Sequence, residues 1–280
     1  MKDPVLRFFW KITPKNVLSR LVGNIAKKPF SRHFIPFYIK KFQIDLNPVK
    51  KQVGQFDNLL DFFVRELHDE ARPIDPNPNL VVSPVDGVIT QIGKIDEGTL
   101  IQAKGISYHV NDLLANIDDA KFFLNGQFAT IYLSPRDYHR IHSPIAGQIS
   151  SLSYIPGNLY PVNESGVRLF PGLFVQNERV ISYIEGNAGT VALVKVGATN
   201  VGSIKVSFDD QISTNTGGRH QQNKKVYVES IQMKKGEELG RFEFGSTVIL
   251  LFEENAISWL PSIQECTSLK MGQPIAEVNP

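Results

Sequence analysis

The chain has 280 residues, is 42% hydrophobic and carries a formal net charge of +2, enough apolar material for one sizeable core plus a smaller appendage rather than a string of modules. Its single cysteine, Cys266, excludes an intramolecular disulfide and a cysteine-rich metal site and suits a reducing compartment, with the cytoplasm as the default. No run of about 18 apolar residues occurs and the N-terminus lacks the apolar core and cleavage site of a secretory signal, so the expectation is a chain that neither spans a membrane nor is exported.

Charge is unevenly placed. Met1–Lys51 holds twelve Lys or Arg against two Asp, a net +10, which leaves −8 for the rest. Phe8, Phe9, Trp10 and Ile12 lie among Arg7, Lys11 and Lys15. Val17, Leu18, Leu21, Val22 and Ile25 then recur at helical spacing with Arg20, Lys27 and Lys28 on other faces, which predicts an amphipathic basic helix. Pro29 and Pro36 break the pattern, and Phe34–Phe42 offers a second apolar and cationic segment. Such segments settle in the headgroup interface of anionic membranes; the alternative is a set of ordinary helices packed on the body. Nucleic acid is the weaker partner, because no binding motif accompanies the charge.

Phe56, Leu59, Leu60, Phe63, Val64 and Leu67 keep the spacing of a third helix that docks by its apolar face. Residues 71–79 contain three prolines in a short polar span, the composition of a connector. The expected organisation is therefore α+β: a basic amphipathic helical region over 1–70, the connector 71–79, and a predominantly β body over 80–280. Gly87–Ile92, Ala129–Leu133, Val191–Val196 and Val248–Phe252 read as strands. Gly87, Gly147, Gly197, Gly202, Gly236 and Gly240 fall at apparent turns, and helix in the body is limited to Val110–Ala115.

Three constellations could carry chemistry. His139 and His142 stand three residues apart in a segment of polar donors following Leu133-Ser-Pro-Arg-Asp137; as metal ligands they would need a third partner that no H-E-x-x-H or Cys/His pattern supplies. Asp86-Gly87 is, by itself, a common turn signal. Gly245-Ser246, directly before the apolar run Val248–Phe252, is not a G-x-S-x-G nucleophile elbow, since Val248 stands where the second Gly would be. It is either a bland turn or a hydroxyl set to attack the preceding carbonyl, where the missing side chain of Gly245 removes steric resistance to a strained backbone.

Together these stretches resemble the phosphatidylserine decarboxylase family over nearly the whole chain. The resemblance rests on Phe63-Val-Arg-Glu-Leu67, Ala71-Arg-Pro-Ile-Asp75, Pro84-Val-Asp-Gly-Val88, Gln102-Ala-Lys-Gly105, Tyr132–His142, Val196–Ser203 and Gly240-Arg-Phe-Glu-Phe-Gly-Ser-Thr247. Phe244 stands where many bacterial members have Leu, and an apolar side chain is kept.

The resemblance implies an enzyme that converts phosphatidylserine to phosphatidylethanolamine and carbon dioxide through a Schiff base to a covalent pyruvoyl group, with neither pyridoxal phosphate nor a metal. That group is made from Ser246 by self-cleavage between Gly245 and Ser246: Oγ attacks the Gly245 carbonyl, the ester undergoes β-elimination, and hydrolysis leaves pyruvoyl at the new N-terminus. It further implies His142 as the base acting on Ser246, Asp86 as the group orienting that imidazole, and His139 as the substrate-binding and protonating residue. Both chains stay associated, a homodimer follows by analogy, and the setting is the cytoplasmic face of the cytoplasmic membrane, peripherally bound to anionic lipid. Two rival classes are a serine esterase acylated on Ser246 and a non-catalytic membrane-binding module.

Overall fold

A computed structural model describes residues 15–103, 105–199, 203–212, 214–215 and 221–280; the aromatic stretch Phe8–Ile12 and Gly202 lie outside them. The first helices are α1 (Lys15–Ala26), α2 (Ile35–Phe42) and α3 (Leu59–Phe63). Strands β1 (Leu80–Val82), β2 (Gly87–Lys94), β3 (Thr99–Ala103) and β4 (Ile106–His109) precede helices α4 (Val110–Leu114) and α5 (Ile117–Lys121). Then come β5 (Gln127–Leu133), β6 (Arg140–His142), β7 (Gly147–Ile155), α6 (Glu164–Leu169) and α7 (Leu173–Gln176). The chain continues through β8 (Arg179–Gly186), β9 (Gly189–Val196), β10 (Ile204–Val206), β11 (Asn223–Met233) and β12 (Glu238–Phe242). It closes with β13 (Ser246–Phe252), β14 (Ile257–Trp259), β15 (Ser268–Leu269) and β16 (Pro274–Val278). The α+β expectation, short helices followed by a mostly β body, is met.

An antiparallel eight-stranded sheet, β11-β7-β8-β9-β13-β5-β2-β15, organises the body. Its strands alternate side chains between two cores. Ile131, Leu133, Leu193, Val248 and Leu250 join one, under the small sheets β1-β16-β14 and β10-β12-β6. Phe128, Val194, Ile249 and Leu251 join the other, under α4, α5 and α7. Because both faces are covered, β13 is buried at all seven residues, which is why its sequence is apolar without interruption.

The N-terminal helices differ from the sequence reading in informative ways. Helix α1 turns Ser19, Gly23 and Ala26 inward and leaves Val17, Leu18, Leu21 and Ile25 exposed. Pro29 and Pro36 start elements rather than simply interrupting one: Pro29 opens a 3-10 turn over Pro29–Phe34, and Pro36 sits in the first turn of α2. The third helix is only Leu59–Phe63, capped by the Asn58 side chain on the Asp61 amide. Beyond Val64 the backbone is drawn away to pair with residues 48–50, through Lys50 N to Glu66 O at 3.0 Å and His68 N to Pro48 O at 2.8 Å. Apolar clusters join this region to the body: Ile35, Phe56 and Phe62 with Tyr138 and Met271, and Ala26, Leu60 and Phe63 with Phe244.

Candidate active site

The Gly245–Ser246 bond lies where the β12–β13 connection enters the centre of the large sheet. Hydrogen bonds from Phe242 N to His139 O (3.0 Å) and from Glu243 N to Ser203 O (2.8 Å) anchor the approach. Phe244 then takes a left-handed backbone with φ of 83°, a conformation that side-chain-bearing residues avoid. The strain therefore sits one residue before Gly245, whereas a Cβ built on Gly245 would meet no heavy atom within 4 Å. Ser246 shares the face of Val248 and pairs with Leu133. It is fully buried, and its Oγ has no hydrogen-bond partner.

The two histidines hold the same tautomer for the same reason: Nδ1 of each faces a backbone carbonyl, which can only accept, so Nδ1 carries the proton. His139 donates to Asp137 O at 2.9 Å, and its buried Nε2 has no partner. Phe63 packs on the His139 ring with centroids 4.1 Å apart and on Phe244 at 4.5 Å, which ties α3, the histidine and the residue before Gly245 into one stack. His142 donates to Gly236 O at 2.8 Å, and its Nε2 accepts from the Tyr138 hydroxyl at 3.0 Å. Gly236 reaches this position with φ of 79°, in a turn clasped by Gly236 N to Ser143 O and Ser143 N to Glu237 O, both 2.8 Å. Burial pushes both imidazoles down, His139 to about 3, so both are neutral near pH 7.

Asp86 is buried, with its carboxylate paired to the Arg72 guanidinium through both oxygens. Oδ1 also accepts from Met271 N at 2.9 Å, and Oδ2 lies 3.4 Å from Lys270 Nζ. Asp86 is thus coupled to His142 by proximity rather than by a side-chain hydrogen bond: its charge favours the imidazolium of both histidines, and Pro84 O accepts from His142 N at 2.9 Å. Of the residues singled out in the sequence, Gly245 and Ser246 follow Phe244 and His139 is joined to it through Phe63, while His142 is bonded to Tyr138, which feels the charge of Asp86. Sequence reasoning left out Phe63, Arg65, Tyr138, Arg72 and the Gly236 carbonyl as site groups. The side chains stand inside quoted motifs, but the carbonyl partner has no side chain to signal it.

A cavity of about 550 Å³ opens beside Ser246. Val22 of α1, Tyr38 and Phe42 of α2, and Leu59 and Phe63 of α3 wall it on one side; Leu133, Val162, Ala198, Phe244 and Gly245 wall the other. Its lining is mostly apolar. A second cavity of the same size has a more polar lining, and Arg65, Arg72, Asp86, Tyr138 and Lys270 reach it. Among the described residues no helix is long and apolar enough to cross a membrane.

Comparison with known sequences decides the family. The profile of phosphatidylserine decarboxylase matches residues 59–277. This chain belongs to the phosphatidylserine decarboxylase family. The phosphatidylserine decarboxylase proenzyme of Brevibacillus brevis is 48% identical over 265 residues, covering 94% of each chain. That of Myxococcus xanthus is 40% identical over 283 residues and covers the whole of both, and that of Idiomarina loihiensis is 39% identical over 99% of this chain and 97% of its own. Family membership thus spans the N-terminal helices as well as the β body.

Proposed function

We propose that this protein is a phosphatidylserine decarboxylase that cleaves itself between Gly245 and Ser246 and carries the resulting pyruvoyl group at the start of β13. The observation that carries the reading is Ser246 itself: a fully buried hydroxyl with no partner, directly after a strained Phe244, facing an apolar cavity. The residues present fit such a group, because an unpartnered polar atom at the head of a rigid central strand is already aimed and shielded from water. A pyruvoyl carbonyl there supplies the electron sink for losing carbon dioxide from an amino acid.

The remaining work belongs to the chain's own side chains. For self-cleavage, a neutral imidazole must take the Ser246 proton; His142 is assigned that step, with Asp86 supplying the nearby negative charge that favours the imidazolium. His142 reaches the serine only when the Tyr138 hydroxyl releases its Nε2. His139, whose Nε2 lone pair has no partner, is assigned substrate binding: Nε2 accepts a proton from the substrate's ammonium group and returns it to the α-carbon after carbon dioxide leaves. The apolar cavity between the helices and Ser246 would accommodate acyl chain, and the exposed apolar and cationic residues of α1 and α2 support peripheral attachment to an anionic membrane, on the cytoplasmic side that the family resemblance implies.

Cleavage would leave the large and small chains associated, since Ser246–Pro280 supplies the central strand β13 and the strands β15 and β16 that pair with β2 and β1. The test is an intact-mass spectrum of the purified protein. Wild type is expected as two fragments ending at Gly245 and beginning at a modified Ser246, and Ser246→Ala as one inactive, full-length chain. A full-length wild type that releases carbon dioxide from phosphatidylserine would sink the pyruvoyl assignment. His142→Ala and Asp86→Asn should slow or abolish cleavage, whereas His139→Ala should cleave normally and decarboxylate poorly; the opposite pattern would exchange the roles of the two histidines.

A further inference from the structure

We propose that Arg65 is a positioning residue for His139: by holding the carbonyls of Arg136 and Asp137 it fixes the imidazole's tautomer and keeps its Nε2 lone pair free for the substrate. The inference rests on the role given to His139 above. Arg65 is 5% exposed and makes no salt bridge among the described residues; its hydrogen bonds all go to backbone oxygens. Nη2 donates to Arg136 O at 2.7 Å and to Asp137 O at 3.2 Å. The Asp137 carbonyl is the same oxygen that accepts from His139 Nδ1 at 2.9 Å. One guanidinium therefore sets the position of the atom that sets the tautomer.

The surrounding contacts make this a clasp rather than a chance crossing. Arg65 reaches from the end of α3 onto the 136–137 turn, while Arg140 reaches back from the turn, donating through Nε to Val64 O at 3.0 Å and through its terminal nitrogens to Glu66 and Glu238. Phe63, two residues before Arg65, covers the face of the His139 ring. The turn is also closed from within, by Asp137 Oδ2 accepting from the amide and hydroxyl of Ser134, both at 2.7 Å. Both bonds leave Nη2, whose two N–H groups are fixed in the guanidinium plane while Nη1 lies 3.5 Å from Phe63 O; a rotating ammonium would keep the charge but not that fixed direction.

Arg65 also acts through its charge. An unneutralised cation next to His139 opposes a second positive charge on the ring, adding to burial, while Asp86 pulls the other way; these are the charged groups that act on His139. The arrangement holds the imidazole neutral and ready to accept a proton at Nε2. A role confined to packing would leave tautomer and titration untouched.

The test is NMR of ring-labelled histidine in the Ser246→Ala chain, with the His139 signals assigned by comparison with a further His139→Gln substitution. With Arg65 intact, His139 is expected as the Nδ1–H form, uncharged down to about pH 5. Adding Arg65→Gln should mix the tautomers and raise the titration midpoint by about one unit or more. Arg65→Lys should keep more of the low midpoint than Arg65→Gln does, but not the single tautomer. In the cleaved protein, Arg65→Gln should lower kcat on the order of tenfold or more with a smaller change in KM, and shift the pH profile. An Nε2–H tautomer or an ordinary titration in the Arg65-intact chain would overturn the proposal, as would an Arg65→Gln spectrum equal to its parent. Should Arg65→Gln fail to fold, the Arg65-intact spectrum and Arg65→Lys still decide. A wild type that releases no carbon dioxide would instead remove the proposed function, a result separable from the ring spectrum.

Discussion

At the scale of single residues, the strain before the proposed cleavage bond and the freedom at it are divided between neighbours. Phe244 holds the left-handed backbone, at a cost on the order of 1–3 kcal/mol, and is kept there by its ring contact with Phe63. Gly245, which the sequence suggested was needed for steric room, has open space where a Cβ would go. Gly245→Ala in the Ser246→Ala background is therefore expected to fold with a stability change within about 0.5 kcal/mol, read by urea unfolding; a loss of several kcal/mol would show that Gly245 is required by the fold. Slower cleavage in Gly245→Ala alone would then report on chemistry at the carbonyl. His139 gives a second residue-scale expectation. Its folded pKa of about 3 lies below the ordinary value of 6.5, with burial the main cause. Between those values the unfolded chain binds a proton that the folded chain refuses, so stability is complete above about pH 6.5 and falls on acidification. The slope from one such group approaches about 1.4 kcal/mol per pH unit. His139→Gln should flatten the decline between pH 6.5 and 5, with the depressed His142 supplying part of what is left; an unchanged slope would remove His139 as its source.

At the scale of elements, the central strands carry both the legible and the illegible parts of the fold. β13 was readable because burial on two faces leaves a continuous apolar run. The third helix was over-read, because apolar spacing through Leu67 is local information, whereas the pairing that pulls residues 66–68 toward residues 48–50 is not. Of the short body helices only α4 is legible, because Val110, Leu113 and Leu114 keep i, i+3, i+4 spacing within its five residues; α5, α6 and α7, at four to six residues, carry no such apolar triplet. Within the site, Ser246, His139, His142 and Asp86 could be named from motifs. Their hydrogen bonds could not, since the Asp86–Arg72 pair and the Gly236 carbonyl depend on how distant turns meet. Lys195 on β9 gives an element-scale prediction. It is fully buried with Ser182 Oγ as its partner at 2.7 Å, and burial pushes its amine down to about 7. Because this folded pKa lies below the unfolded value, the penalty for burying the amine is full below about pH 7 and is relieved as pH rises toward 10.5. Replacing the pair by Lys195→Met with Ser182→Ala should stabilise the chain at pH 7 by roughly 1–4 kcal/mol, measured by denaturant unfolding, and the gain should shrink at high pH. A destabilised double variant would mean that the amine has a favourable role in β9.

At the scale of the whole molecule, charge and apolar exposure converge on the same end. The first 51 residues carry +10 and the remainder −8, and of that excess the described residues 15–51 hold nine Lys or Arg against one Asp, so this end has a positive field that would orient it toward an anionic surface before any contact forms. On that end, Leu21 and Ile25 of α1, Phe30 and Phe34 of the following turn, and Phe37 of α2 are each more than half exposed. The inner residues of the same helices, Val22, Tyr38 and Phe42, line the cavity at Ser246. One set of short helices thus presents an apolar outside and an apolar inside, which is the arrangement expected if lipid passes from a bilayer to the serine without crossing water. Leu21→Glu with Phe37→Glu should leave unfolding, cleavage and turnover of a short-chain soluble analogue near wild type, because neither side chain is buried. Sedimentation with phosphatidylserine-containing vesicles should fall on the order of tenfold or more, since two apolar contacts are lost and two charges repelled by the surface are gained. Wild-type binding should itself weaken as salt rises from about 0.05 to 0.5 M, as the Debye length contracts. Undiminished vesicle binding by the double variant would place the membrane contact elsewhere on the molecule and leave the cavity's opening between the helices without a lipid surface to face.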